Sequence, residues 1–238
     1  MRHLRSLTSL ALVLLFILSV LLFSSCSTAE EKALSAEQDF KTAYEKYRSS
    51  DDGVEKAALM DKFAADYPNA EQAERAIGMV VYNRYSANED YPGALEYLDE
   101  KLGLVSNPVV EKALKLQKLE VLAELKEEAA LTTLAEELLD SPEPLNSGEK
   151  QRVLGAATAS GAWQLAEKVS AILLDEMQGS DDPYALSSVL VKRAWILHNL
   201  DRTEDALQYF TEADSLAPRN FAGYAEYPAM ELEFQWAT

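Results

Sequence analysis

The sequence is poor in the residues that most reaction chemistry requires. It has one cysteine, Cys26, and two histidines, His3 and His198. A single thiol cannot form an internal disulfide. So few sulfur and imidazole ligands cannot complete a zinc site or a Cys–His nucleophile pair. None of the nine glycines sits in the phosphate-cradling spacing that follows a strand. Alternating apolar and polar stretches are nearly absent and β-branched residues are sparse, which argues against sheet. Basic residues are also scarce, 22 against 40 acidic ones, for a net charge of −18. That balance opposes binding to a phosphate backbone, so a nucleic-acid partner is excluded. With 40 carboxylates, pairs such as Glu127-Glu128, Glu136-Glu137 and Asp181-Asp182 read as solvated helix faces or first-turn charges. Asp51-Asp-Gly and Ser180-Asp-Asp lack the ligand count of a calcium loop. His198 reads as a helix-end residue, where a cation suits the helix dipole. No catalytic residue, metal site, cofactor or small-molecule substrate is expected.

What the sequence does contain begins at its N-terminus. Met1 to Arg5 supplies positive charge, Leu7 to Phe23 is an apolar run relieved by Thr8, Ser9 and Ser19, and Ser24, Ser25 and Cys26 follow. This order is that of an export signal. The run of about 17 residues is at the short end for a membrane-spanning helix, so an uncleaved single-span anchor is the alternative. Leu22-Phe23-Ser24-Ser25-Cys26 resembles the bacterial lipobox, with Phe23 where that family usually has leucine. The resemblance implies a signal peptide over 1–25, acylation of Cys26 and two or three acyl chains, enough to hold a protein on a bilayer. Residues 26–32 then form a lipidated tether. Ser27 after the cysteine resembles the pattern that favours transport to the outer membrane. Loss of Arg2 and Arg5 with the signal takes the net charge from −18 to −20. Anionic headgroups repel such a surface, so lipid attachment alone holds it at the membrane.

Beyond the tether, apolar residues recur at three- and four-residue spacing in a chain dominated by Ala, Leu, Glu and Lys, so the fold class is all-α. The spacing predicts helices over 33–49, 53–66, 70–87, 91–102, 108–126, 128–139, 147–159, 161–177, 183–199 and 203–217. The breaks have their own chemistry. Ser49 to Gly53, Asn88 to Pro92, Ser141 to Pro144 and Gly179 to Pro183 stop one helix and cap or start the next. No linker is long enough to separate independent domains.

The helices come in pairs. Lys56, Met60, Phe63 and Pro68 stand at relative positions 0, +4, +7 and +12, as do Ala206, Phe210, Ala213 and Pro218. Ala130, Leu134, Glu137 and Pro142 keep the frame with one polar replacement, Ala94 and Leu98 match its first two positions, and Ala166 and Leu173 its first and third. Anchors 56, 94, 130, 166 and 206 recur every 36 to 40 residues, a period that signals a helical solenoid. Leu190, Ala194, Leu197, Ala206, Phe210, Ala213 and Pro218 resemble a tetratricopeptide repeat, with Arg193 where that family usually has leucine. Ala64 to Ala70 resembles the helix-end turn of tetratricopeptide lipoproteins, among them a component of the outer-membrane β-barrel assembly machine. The resemblance implies a tetratricopeptide-like solenoid of about five antiparallel pairs over 33–218. Residues 219–238 follow as a capping helix or an incomplete sixth repeat.

These readings predict a non-enzymatic scaffold for protein–protein interaction in the bacterial cell envelope. It would be lipid-anchored at Cys26, face the periplasm and belong to the outer membrane. Repeat proteins of this kind bind peptides on a concave face, and Tyr82 and Tyr85, three apart on one helix, are the candidate contacts. The acidic surface favours a basic protein or peptide partner. Two alternatives rest on resemblance. The chain could be the repeat region of a larger envelope thioredoxin-like oxidoreductase, which a Cys-x-x-Cys after Thr238 would reveal, or an accessory lipoprotein in outer-membrane protein assembly.

Overall fold

The computed structural model describes residues 31–179 and 181–216, and all regular structure among them is helical. In order these are α1 (31–49), α2 (Gly53–Asp66), α3 (Glu71–Val80), α4 (Tyr91–Leu102), α5 (Pro108–Glu124), α6 (Glu128–Leu139), α7 (Ser147–Ser160), α8 (Trp163–Glu176), α9 (Pro183–Asn199) and α10 (Thr203–Leu216). Residues 1–30, with the export segment, His3 and Cys26, lie outside the described residues, as do Ser180, Pro218 and 219–238. Among the described residues no helix is long and apolar enough to cross a membrane.

Several helices begin where the sequence offers a side-chain cap. Asp52 accepts from the N–H of Val54 at 2.8 Å at the start of α2. Asn146 and Glu149 form a reciprocal capping box on α7. Asp182 accepts from Tyr184 and Ala185 ahead of α9, with Pro183 in the first turn. The third helix departs from expectation. It is α-helical only to Val80, then widens into a π turn over Val81–Tyr85 and tightens into a 3-10 turn over Ser86–Asn88.

The described chain forms two compact units, one of residues 31–89 and 103–110, the other of 90–102 and 111–216. In the first, α2 packs on α3, and Phe40, Met60, Phe63, Ile77 and Val80 are buried. In the second, α6 packs on α7, α7 on α8, α8 on α9 and α9 on α10. Leu116, Leu119, Leu131, Val153, Leu165 and Leu173 share one aliphatic core, and α9 and α10 close a smaller one around Phe210. Ion pairs also join next-but-one helices. Lys112–Glu149 at 3.2 Å and Arg152–Glu120 at 2.8 Å link α5 to α7, and Lys168–Glu136 at 3.8 Å links α6 to α8.

One turn recurs three times in this unit. Lys126, Gly161 and Asp201, between α5 and α6, α7 and α8, and α9 and α10, all have left-handed backbone, with φ of 59°, 87° and 58°. The next residue reaches back to close each helix: the N–H groups of Glu127, Ala162 and Arg202 donate to Leu122, Ala157 and Leu197 at 3.0, 2.9 and 2.9 Å. This is the Schellman closure of a helix C-terminus.

Five residues after each left-handed position stand Leu131, Ala166 and Ala206. Each donates its N–H to the carbonyl four residues earlier and opens a buried stripe at 0, +4 and +7. The stripes are Leu131, Ala135 and Leu138; Ala166, Ser170 and Leu173; and Ala206, Phe210 and Ala213. The expected frame on α6 is therefore one residue early. Ala130 and Glu137 are exposed, because the turn at Lys126 sets the stripe on Leu131.

Candidate interaction surface

The two tyrosines expected to act together differ in exposure. Both stand on the π turn, whose i→i+5 bonds hold more residues per turn than an α-helix, so a three-residue step falls well short of a full turn. Tyr82 is 65% exposed. Tyr85 is half-buried beneath the Arg84 guanidinium, 5.9 Å from its ring centre, and Arg84 also meets Asp61 at 3.0 Å. The Arg84 pKa is raised: burial lowers it, and hydrogen bonds to Tyr85 and Asp61 more than offset that. Tyr85 is thus part of a structural cluster, and Tyr82 is the one of the pair offered to solvent.

A second aromatic group in the same unit escaped the sequence reading. Phe40, Tyr44 and Tyr47 stack along α1, each 5.9 Å from the next, and Phe40 meets Phe63 edge-on at 5.1 Å. Arg75 of α3 lies 4.5 Å over Tyr44 and 5.7 Å from Phe40, and Lys56 of α2 lies 5.4 Å over Tyr47. Asn83, on the π turn, donates to the Tyr47 hydroxyl at 3.0 Å. The signal was the i, i+4, i+7 spacing of aromatics on α1. The cations that cover them come from helices distant in sequence, which no local pattern announces.

In the second unit the charge is sorted by helix. The formal charges of α5, α7 and α9 are 0, +1 and +2, whereas α4, α6, α8 and α10 carry −2, −3, −2 and −4. Cations of the first set hold carboxylates of the second. Lys115 meets Glu137 at 2.7 Å, Lys118 meets Asp99 at 2.5 Å, and Lys150 meets Glu176. The acidity of this unit therefore belongs to one set of helices.

Arg193, the departure from the tetratricopeptide pattern, has a packing reason. It donates to the Glu167 carbonyl and to the hydroxyl of buried Ser170, both at 3.1 Å, and lies 5.1 Å from the Tyr209 ring centre. A serine at +4 of one stripe and an arginine on the next helix thus compensate each other. His198 is half-buried near the end of α9 with its ring 6.0 Å from Trp195. Tyr97 is buried, Tyr91 is half-buried, and Trp163, Trp195 and Tyr209 are half-buried against the apolar cores. Three members of the acidic pairs serve as caps or ion-pair partners: Asp182 caps α9, and Glu136 and Glu137 meet Lys168 and Lys115. Among the described residues no group of three or more His, Cys, Asp or Glu side chains is placed to hold a metal ion. No family model matches this chain, and no curated protein matches it.

Proposed function

We propose that this protein is a non-enzymatic, lipid-anchored helical-repeat scaffold that holds a partner protein at a membrane of the bacterial cell envelope. The observation that carries the reading is the recurring Schellman turn with its buried 0, +4, +7 stripe, a tetratricopeptide-like signature of successive helix pairs. Such pairs bury one face on their neighbours and leave the other for a ligand. The anchor rests on sequence: Cys26 ends an apolar run in a lipobox-like context. The acidic helices α4, α6, α8 and α10 favour a partner with a basic segment, and exposed Tyr82 offers an aromatic contact in the other unit.

Photo-crosslinking in intact cells tests the scaffold. A crosslinking residue at position 82, and another at an exposed site on α6 or α10, should each capture one defined protein. Capture of nothing above background at all of these positions overturns the reading. The anchor is tested separately: Cys26→Ser should abolish lipid labelling and release the protein from membranes, and labelling that persists refutes it.

A further inference from the structure

Asn69 ties together two segments of the first unit that carry exposed apolar side chains. Its side-chain oxygen accepts from the N–H groups of Ser106 and Asn107 at 2.6 and 2.9 Å, and its carbonyl accepts from the Asn107 amide at 2.9 Å. That clasp fixes the segment carrying Leu104 and Val109, which are 55% and 57% exposed. Asn69 also lines a cleft of about 330 Å³ with Leu34, near the start of α1, which is 69% exposed. The clasp makes the position of these side chains a property of the fold. Single exposed leucines need no explanation, but several collected at one end of a unit do.

The sequence says what lies at that end. Only residues 27–30 separate Cys26 from α1, so the chain from the cysteine to residue 31 reaches at most about 18 Å. The opposite end of α1 lies about 28 Å from its start at 1.5 Å per residue. Val54, at the start of α2, is 77% exposed at that far end.

We propose that Leu34, Leu104 and Val109 form a membrane-apposed face that dips into the headgroup boundary and fixes the orientation of the first unit on the bilayer. This rests on acylation of Cys26, which supplies the anchor. The patch adds an apolar contact that needs no basic surface, and so suits a chain whose net charge would repel anionic lipid. Together, anchor and patch would make the tethered unit stand in one orientation.

The test uses the full chain, processed in a bacterial host and reconstituted into phosphatidylethanolamine–phosphatidylglycerol vesicles containing nitroxide lipid. Cys26 is the only cysteine and its sulfur is acylated, so Leu104→Cys, Val109→Cys or Val54→Cys introduces one reactive thiol for an environment-sensitive fluorophore. Labels at 104 and 109 should shift to the blue and be quenched by the nitroxide, while the label at 54 should not change. If the protein floats with the vesicles but 104 and 109 behave like 54, the patch proposal falls and the anchor stands. If the protein does not float, both fall. Protection at 104 and 109 that rises with protein concentration in detergent would assign the patch to a second copy and overturn the membrane proposal.

Discussion

The two units solve the same problem, fixing one helix against the next, with different side chains. In the first, aromatics do most of the work: Phe40, Tyr44 and Tyr47 stack along α1, Phe63 of α2 meets Phe40 and in turn Tyr67 just past its own helix, and Arg75 and Lys56 lie on the rings. In the second, the larger core is almost entirely Leu, Val and Ala, and lysines bridge helices to glutamates and aspartates. The difference follows from side-chain size. Aromatics fill a wide gap and offer faces to cations. Small aliphatics let helices approach closely, and the long lysine stems then reach across to the neighbour.

The largest expected effects test whether the two cores carry comparable weight. Phe210→Ala, which empties the centre of the α9–α10 core, should cost about 3–5 kcal/mol. Phe63→Ala should cost a similar amount and forfeits the ring contacts with Phe40 and Tyr67 as well. Trp163 and Trp195, the tryptophans among the described residues, both belong to the second unit, so in a Trp236→Phe background urea unfolding followed by tryptophan fluorescence reports on that unit. Circular dichroism reports on both. If Phe63→Ala moves only the dichroism transition, the units unfold separately. A loss below about 1 kcal/mol for either variant contradicts the burial described for it.

Next in size is the register of α6. Leu131→Ala should cost about 2–5 kcal/mol, whereas Glu137→Ala should stay within about 0.5 kcal/mol. The reverse result would restore the frame on Ala130. This is also where the sequence was least legible. Helix positions could be read from caps and breaks, because Asp52, Asn146, Asp182 and the prolines act through neighbours a few residues away. The frame on α10 could be read because Ala206, Phe210 and Ala213 are themselves apolar. On α6, Leu131, Leu134, Leu138 and Leu139 offer two overlapping apolar stripes one residue apart, and the turn decides between them. That turn is hard to see, since Lys126 and Asp201 take the left-handed conformation that Gly161 announces openly. The π turn that carries Tyr82 and Tyr85 left no local mark either, which is why spacing alone paired them.

Gly161 gives the next test. At φ 87° an added Cβ is strained even though there is space around it, so Gly161→Ala should cost about 1–2 kcal/mol. Asp201→Gly, at the equivalent turn, should gain up to a comparable amount. Matching signs for both substitutions, read by thermal unfolding, would break the equivalence of the two turns.

The smallest effect bears on the electrostatic half of the comparison. Lys115 lies between Glu111 and Glu137, each at 2.7 Å, and hydrogen bonds first to Glu111 and then to Glu137 raise its pKa despite partial burial. A lysine whose pKa is higher in the folded chain than in the unfolded one contributes stability below its ordinary value. That stability fades as pH rises through the folded value. Lys115→Met should therefore lower stability by about 0.5–1 kcal/mol near neutral pH. The gap to the unaltered protein should narrow as pH is raised above the ordinary lysine value. High salt should narrow it too, through screening. Arg75→Ala, which removes the cation over Tyr44, should lose about 0.5–1 kcal/mol. A Lys115→Met loss that shrinks with neither pH nor salt would mean that packing, and not charge, fixes α5 against α6 in the second unit as well.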